Sequence, residues 1–139
     1  MGINIRSKRN STEIGYHGFF LFRSFVAKQI NDLFYSHYVS RFESKVMLLR
    51  GKEEESYFES YNQKTETFIA QGVLTLDIAD FLYQADSDGK IDRKQAKKIH
   101  ELIKDCEDDL SFGYVGHDDC AKMADLKRIF ADGAKITWY

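Results

Sequence analysis

A chain of 139 residues with 43% hydrophobic and 30% charged side chains has the composition of a folded globular unit, which excludes a disordered tail. Its formal net charge of −2 excludes a nucleic-acid binder that works by bulk positive charge, and it falls well short of an acidic mimic of DNA. No window approaches the ~20 apolar residues of a membrane-spanning helix. Met1-Gly2-Ile3-Asn4-Ile5-Arg6 lacks the apolar stretch of a signal peptide, and no Ser or Thr is placed for myristoylation. Cys106 and Cys120 are then most simply read as reduced and buried, and the chain is expected to act in the cytoplasm, away from membranes.

The first element expected is a short strand over 2–7, where Ile3 and Ile5 alternate with polar neighbours. Residues 7–13 read as a polar, basic loop. From about Gly18 the pattern is helical. Phe19, Phe22, Val26, Ile30 and Leu33 fall at three- and four-residue spacing, Leu21 and Phe25 widen the face, and the helix is expected to reach about Tyr38. Phe42, Val46 and Leu49 continue the stripe after a kink, and Gly51 ends it. Glu53-Glu54-Glu55 opens a second helical stretch with acid where the helix dipole favours it. Tyr57, Phe58, Tyr61, Phe68 and Ile69 give that stretch an aromatic face, and Gly72 closes it.

Thr75 is placed to cap a short helix carrying Ile78, Phe81 and Leu82. Asp92 with Gln95 makes a capping-box start for the clearest amphipathic helix of the chain. Ala96, Ile99, Ile103 and Cys106 form one side of it, and Arg93, Lys97, His100 and Lys104 the other. Residues 107–118 are acidic, with Phe112-Gly113-Tyr114-Val115-Gly116 read as a turn or loop. Asp118 or Asp119 then caps a last helix with Met123, Leu126 and Phe130 inward and Gly133 just past its end. The tail over 135–139 has strand propensity and is expected to pair with the first strand, which satisfies the backbone groups of both. The predicted architecture is mainly α, a single domain over 1–139. It comprises a compact bundle of about five helices with a small terminal β-sheet pairing the N- and C-terminal strands, α+β in class.

The segment Asp86-Ser87-Asp88-Gly89-Lys90-Ile91-Asp92 follows the middle of a calcium-binding loop. In the EF-hand frame Asp86, Asp88 and Asp92 take the third, fifth and ninth ligand positions, Gly89 the sharp turn and Ile91 the apolar position. Gln84 stands at the first ligand position, and Gln95 where a bidentate glutamate normally supplies two oxygens. Turn formation by Asp and Gly, and helix capping by Asp92, account for the same residues without an ion.

His117 and Cys120 are spaced as a pair of zinc ligands, but no second Cys/His pair completes a site. Cys120 beside His117 and Asp118, near an expected helix start, also outlines a thiol-dependent or small-molecule site in the 113–120 loop. A buried cysteine at a helix start explains it as well. The basic stripe of Arg93, Lys97, Lys98 and Lys104 could contact phosphates, but a solvated face looks the same, and Glu101, Asp105 and Glu107 cancel much of its field, which speaks against direct nucleic-acid binding. Tyr16, Phe19, Phe20, Phe22 and Phe25 supply more aromatic surface than a core requires. Candidate partner-binding residues are therefore Tyr16, His17, Phe20, Tyr57, Tyr61, Arg93, Lys97, Tyr114 and His117.

Three blocks carry a resemblance. They are Gly15-Tyr16-His17-Gly18-Phe19-Phe20 with Arg23; Asp80-Phe81-Leu82-Tyr83 through Gly89-Lys90 to Lys97-Lys98-Ile99 and Leu102-Ile103-Lys104-Asp105; and Gly113-Tyr114-Val115-Gly116-His117-Asp118-Asp119-Cys120 with Leu126-Lys127. Together they resemble a group of small proteins carried by phages and prophages of Gram-positive bacteria, a group with no established activity. That group usually has Arg where this chain has His117, which speaks against the zinc and thiol readings. The resemblance implies a stoichiometric binder of a host protein, such as an anti-CRISPR-like inhibitor of a defence nuclease or a modulator of another host enzyme. It implies no cofactor, and such binders often self-associate.

Overall fold

The computed structural model describes residues 2–114, 116 and 120–139. Strand β1 (Gly2–Arg6) turns Ile3 and Ile5 inward, each 1% exposed, as the alternation requires. It forms an antiparallel hairpin with β2 (Ser11–Gly15), in register Ile3↔Ile14 and Ile5↔Thr12. The expected loop over 7–13 is thus confined to residues 7–10. Only Ile14 and Gly15 of β2 are buried, so this polar edge strand lacks the apolar alternation that marks a strand in sequence. Asp132 fastens the hairpin turn: its carboxylate accepts from Ser7 Oγ at 2.6 Å, Arg9 N at 2.7 Å and Arg9 Nε at 2.8 Å. These donors hold its carboxyl down to about 2.

Helix α1 (Tyr16–Ile30) buries Phe19, Phe22 and Val26 on one stripe. It stops at Asn31, whose Oδ1 accepts from Phe34 N at 3.0 Å and opens α2 (Asp32–Ser40). The single helix expected to reach Tyr38 is therefore two. A one-turn helix, α3 (Ser44–Met47), follows, with Val46 its one buried side chain. Gly51 (φ 61°) leads into α4 (Gly51–Ala70) rather than ending the preceding stripe. The side chains of α4 that anchor it are Tyr61 and Phe68.

Helix α5 (Leu76–Tyr83) is capped by Thr75 and α6 (Arg93–Ile103) by the Asp92/Gln95 capping box, both as expected. Between them lies the short strand β3 (Gly89–Ile91). Strands β4 (Ser111–Phe112) and β5 (Ala121–Lys122) form a small ladder where a turn was expected at Phe112. Helix α7 (Met123–Phe130) follows with Lys122 at its N-cap position; Asp118 and Asp119, the expected caps, lie outside the described residues. The last strand is β6 (Ile136–Trp138).

The expected pairing of the terminal strands is present, with Ile5↔Trp138 and Arg6↔Thr137. However, β6 also pairs with β3, so the sheet has four strands in the order β2-β1-β6-β3, all antiparallel. The fold is accordingly α+β: six helices of eight or more residues and one single turn accompany this sheet and the β4-β5 ladder among the described residues. Trp138 and Ile136 are fully buried, and the indole packs on Phe19 at 5.5 Å and Phe81 at 5.6 Å between ring centroids. Phe22, in contact with Phe81, Phe112 and Phe130, ties α1 to α5, α7 and the β4-β5 ladder. Each fully buried Phe of this kind contributes about 1.5–3 kcal/mol. No described helix is long and apolar enough to cross a membrane.

Candidate functional site

The rings that the sequence scatters from residue 17 to residue 114 meet in one strip. His17, exposed at the start of α1 next to Tyr16, lies flat against Tyr114 with centroids 4.4 Å apart and planes 15° from parallel. Phe20, on the following turn, is 6.4 Å from His17 and meets Phe42 edge-on at 4.7 Å. The Arg41 guanidinium then bridges four rings, at 5.3 Å from the Phe42 centroid, 5.9 Å from Phe58, 5.6 Å from Tyr61 and 5.4 Å from Tyr83. Tyr57 closes the strip, 5.1 Å from Phe58 and 6.2 Å from Tyr61. Tyr16 is 39% exposed, Phe42 41% and Tyr114 57%. A cation among aromatic faces is attracted by their quadrupoles, and amphipathic rings beside an Arg are the side chains most enriched where proteins bind partners.

Beneath the strip the polar groups are neutral and rigidly held. His37 is buried and stacks on Tyr61 at 3.9 Å, with Nε2 2.7 Å from Thr65 Oγ1. Burial, helped by the charges of Lys64 and Arg41, pushes its imidazole down from 6.5 to about 4. The Tyr61 and Tyr83 hydroxyls share a hydrogen bond of 2.8 Å, and burial raises both phenols. Tyr38 donates to Leu82 O at 3.1 Å and is pushed up to about 12, mainly by burial. Tyr61 is itself 5% exposed, so its ring supports the strip from below.

The Asp86–Asp92 turn sits between two helices, as the EF-hand frame requires, with Ile91 in a strand. Its closure comes from side chains. Gln84 accepts from Lys90 N at 3.0 Å and donates to Lys90 O at 2.7 Å. Gln95 accepts from Asp92 N at 2.8 Å and donates to Asp80 Oδ2 at 2.7 Å, while Asp92 Oδ1 caps Gln95 N at 2.8 Å. Buried Arg23 donates to the carbonyls of Leu82 (3.3 Å), Gln84 (2.7 Å) and Ala85 (3.4 Å) and lies 4.2 Å from the Phe19 centroid. Burial lowers its pKa. It serves the carbonyl end of α5, the negative end of that helix's dipole. Gly89 is extended, opposite Trp138 in the ladder, and does not have the positive φ of a sharp turn. Asp86 and Asp88 are exposed, and among the described residues no three His, Cys, Asp or Glu side chains gather as a metal site.

Arg93 and Lys97 belong to a different feature, a groove of about 630 Å³ between α6 and the end of α7, lined also by His100, Phe130 and Gly133. His117 lies outside the described residues, so its pairing with Cys120 or with the aromatic strip is not part of this geometry. Cys120 is a half-buried free thiol packed against Gly113, and Cys106 is likewise free.

The structure therefore joins His17, Phe20, Tyr57, Tyr61 and Tyr114 and separates Arg93 and Lys97 from them, while Tyr16 stands exposed beside His17 at the start of α1. Sequence reasoning missed Arg41, Phe42, Tyr83 and His37. The available signal was an Arg-Phe pair directly after an aromatic-rich helix. No family model matches the chain, and neither a curated protein nor a solved structure matches it.

Proposed function

We propose that this chain is a binding protein without chemistry of its own, of the kind phages encode to inhibit or modulate a host protein in the host cytoplasm. A defence nuclease or its complex is the target class that fits the resemblance to phage and prophage proteins. The observation that carries the reading is the strip from Tyr114 to Tyr57, with Arg41 among four rings at 5.3–5.9 Å. Its rim continues along the chain into Met47 and Leu48, which are 64% and 76% exposed. Exposed aromatic and long apolar side chains rimmed by charge mark surfaces that a partner covers. Rigid rings lose little entropy on docking, and a desolvated Arg on ring faces contributes strongly to affinity.

The test is a pull-down from a Gram-positive host lysate with tagged wild type, a triple variant H17A/R41A/Y114A and a control K97A. One stoichiometric partner retained by wild type and K97A, and lost by the triple variant, supports the reading. Retention by the triple variant, with folding verified by circular dichroism, would remove the strip as the binding face. No retained partner in host lysates would remove the function.

A further inference from the structure

We propose that the chain also self-associates, the outer acidic row of α4 in one copy lying along the basic row of α6 in another. On α4, Glu55, Glu59, Asn62 and Glu66 are exposed and lie on the side away from buried Tyr61 and Phe68. On α6, Arg93, Lys97, His100 and Lys104 lie away from buried Gln95, Ala96, Ile99 and Ile103. Both sets advance by four, three and four residues, which makes each a straight row on one helix face, roughly 16 Å long. The step pattern reads the same in both directions, so the rows match whether the helices run parallel or antiparallel.

Each row is unfavourable in an isolated chain. Glu55 and Glu59, and likewise Arg93 and Lys97, are like charges one helical turn apart. The first turn of α6 carries no acid, and Arg93 and Lys94 stand where the helix dipole disfavours cations. Among the described residues Glu55, Glu59, Glu66, Arg93 and Lys97 make no ion pair, and none joins the two helices within one chain; Lys104 pairs with Glu101. From Gly51 to Ser60, α4 rests on half-buried Tyr57 and Phe58 and has no fully buried side chain, so its outer side is open to a second copy. The second copy supplies opposite charges at the same spacing, chiefly to Arg93 and Lys97, because Lys104 already has Glu101. The contact joins different patches of the two copies and so builds rings or chains unless it closes reciprocally. It uses the side of α4 away from Tyr61, independent of the aromatic strip.

Sedimentation velocity over a range of protein concentrations tests this. Wild type is expected to gain mass with concentration at low ionic strength and to return to monomer at high salt. R93E/K97E and E55K/E59K, each checked for an unchanged melting curve, are expected to be monomeric. Mixing the two should restore association, because each variant then carries one half of an attractive pair. Monomeric wild type at every concentration, association that survives either reversal, or a mixture that stays monomeric would overturn the proposal. So would heparin or RNA binding lost in R93E/K97E without self-association, which would assign the α6 row to a foreign polyanion.

Discussion

Gly89 and Trp138 face each other across the β3-β6 ladder so closely that a Cβ on Gly89 would stand 2.2 Å from the indole Cζ2 and 2.3 Å from Cε2. The ring cannot retreat: it is fully buried against Phe19 and Phe81, and its Nε1 donates to Ala85 O at 2.9 Å. The glycine is required by close approach rather than by a turn. Gly89→Ala is expected to cost about 1–3 kcal/mol, the usual range for overpacking a filled core, measured by urea denaturation. A loss below about 0.5 kcal/mol, the scatter of neutral surface changes, would show that the indole has room to move.

His37 makes stability depend on mild acid. Its imidazole is held near 4 when folded against 6.5 in the free side chain, so the unfolded chain takes up the proton first as pH falls. The stabilisation is complete above pH 6.5 and is lost as pH falls through about 4. It amounts to about 3 kcal/mol. Chemical denaturation across that interval should give a slope that shrinks in His37→Gln. An unchanged slope in the variant would assign the acid sensitivity to other groups.

Arg41 is expected to matter to both fold and binding, whereas the far end of the strip matters to binding alone. Arg41→Ala removes one cation from four ring faces and should cost about 1–2 kcal/mol, since exposed cation–π contacts contribute about 0.5–1 kcal/mol each and share one charge. His17→Ala and Tyr114→Ala, at an exposed stack, should change stability by less than about 0.5 kcal/mol. Thermal melts of the three variants check this ordering. Equal losses would mean that the Tyr114 turn is a structural brace.

The Asp86–Asp92 turn is expected to ignore calcium. Its first and last ligand positions, Gln84 and Gln95, are occupied in hydrogen bonds to Lys90, Asp92 and Asp80, and Asp92 is a helix cap. Millimolar calcium should leave the melting temperature of wild type and of Asp86→Ala/Asp88→Ala unchanged, because a ligand stabilises only the state that binds it. A rise in wild type that the double variant lacks would restore the ion-binding reading.

What the sequence conveyed was mostly local. Thr75 and the Asp92/Gln95 capping box carry their whole signal within one turn of helix and the periodicity of 93–103 within one helix, and α5 and α6 were legible from them. Asn31 was not: the stripe Phe19, Phe22, Val26 runs in phase up to it, and nothing in its neighbours distinguishes a cap from a helical Asn. Strand β2 was hidden because an edge strand with two buried residues has no alternation to read. Strand β3 was disguised by the aspartates around it, and its pairing with β6 depends on residues far apart in the chain. The site divides in the same way. Tyr16, His17, Phe20, Tyr57, Tyr61 and Tyr114 could be picked out as aromatic surplus, but only the fold brings all of them except Tyr16 into one strip, through Arg41 and Phe42 at a helix junction that the periodicity ran through.

Strand β6 lies inside the sheet, between β1 and β3, although it follows both in the chain. During synthesis, β1 and β3 therefore emerge with bare edges facing each other and nothing between them, and the pocket formed by Phe19, Phe81 and Gly89 waits for the indole of residue 138. Helices can assemble before the sheet does, and the sheet closes only once β6 is available to fill the gap between its neighbours. Until then the nascent protein exposes the strand edges and aromatic surface on which aggregation feeds. Docking of the Trp138 indole against Phe19, Phe81 and Gly89 is the contact that ends this exposure.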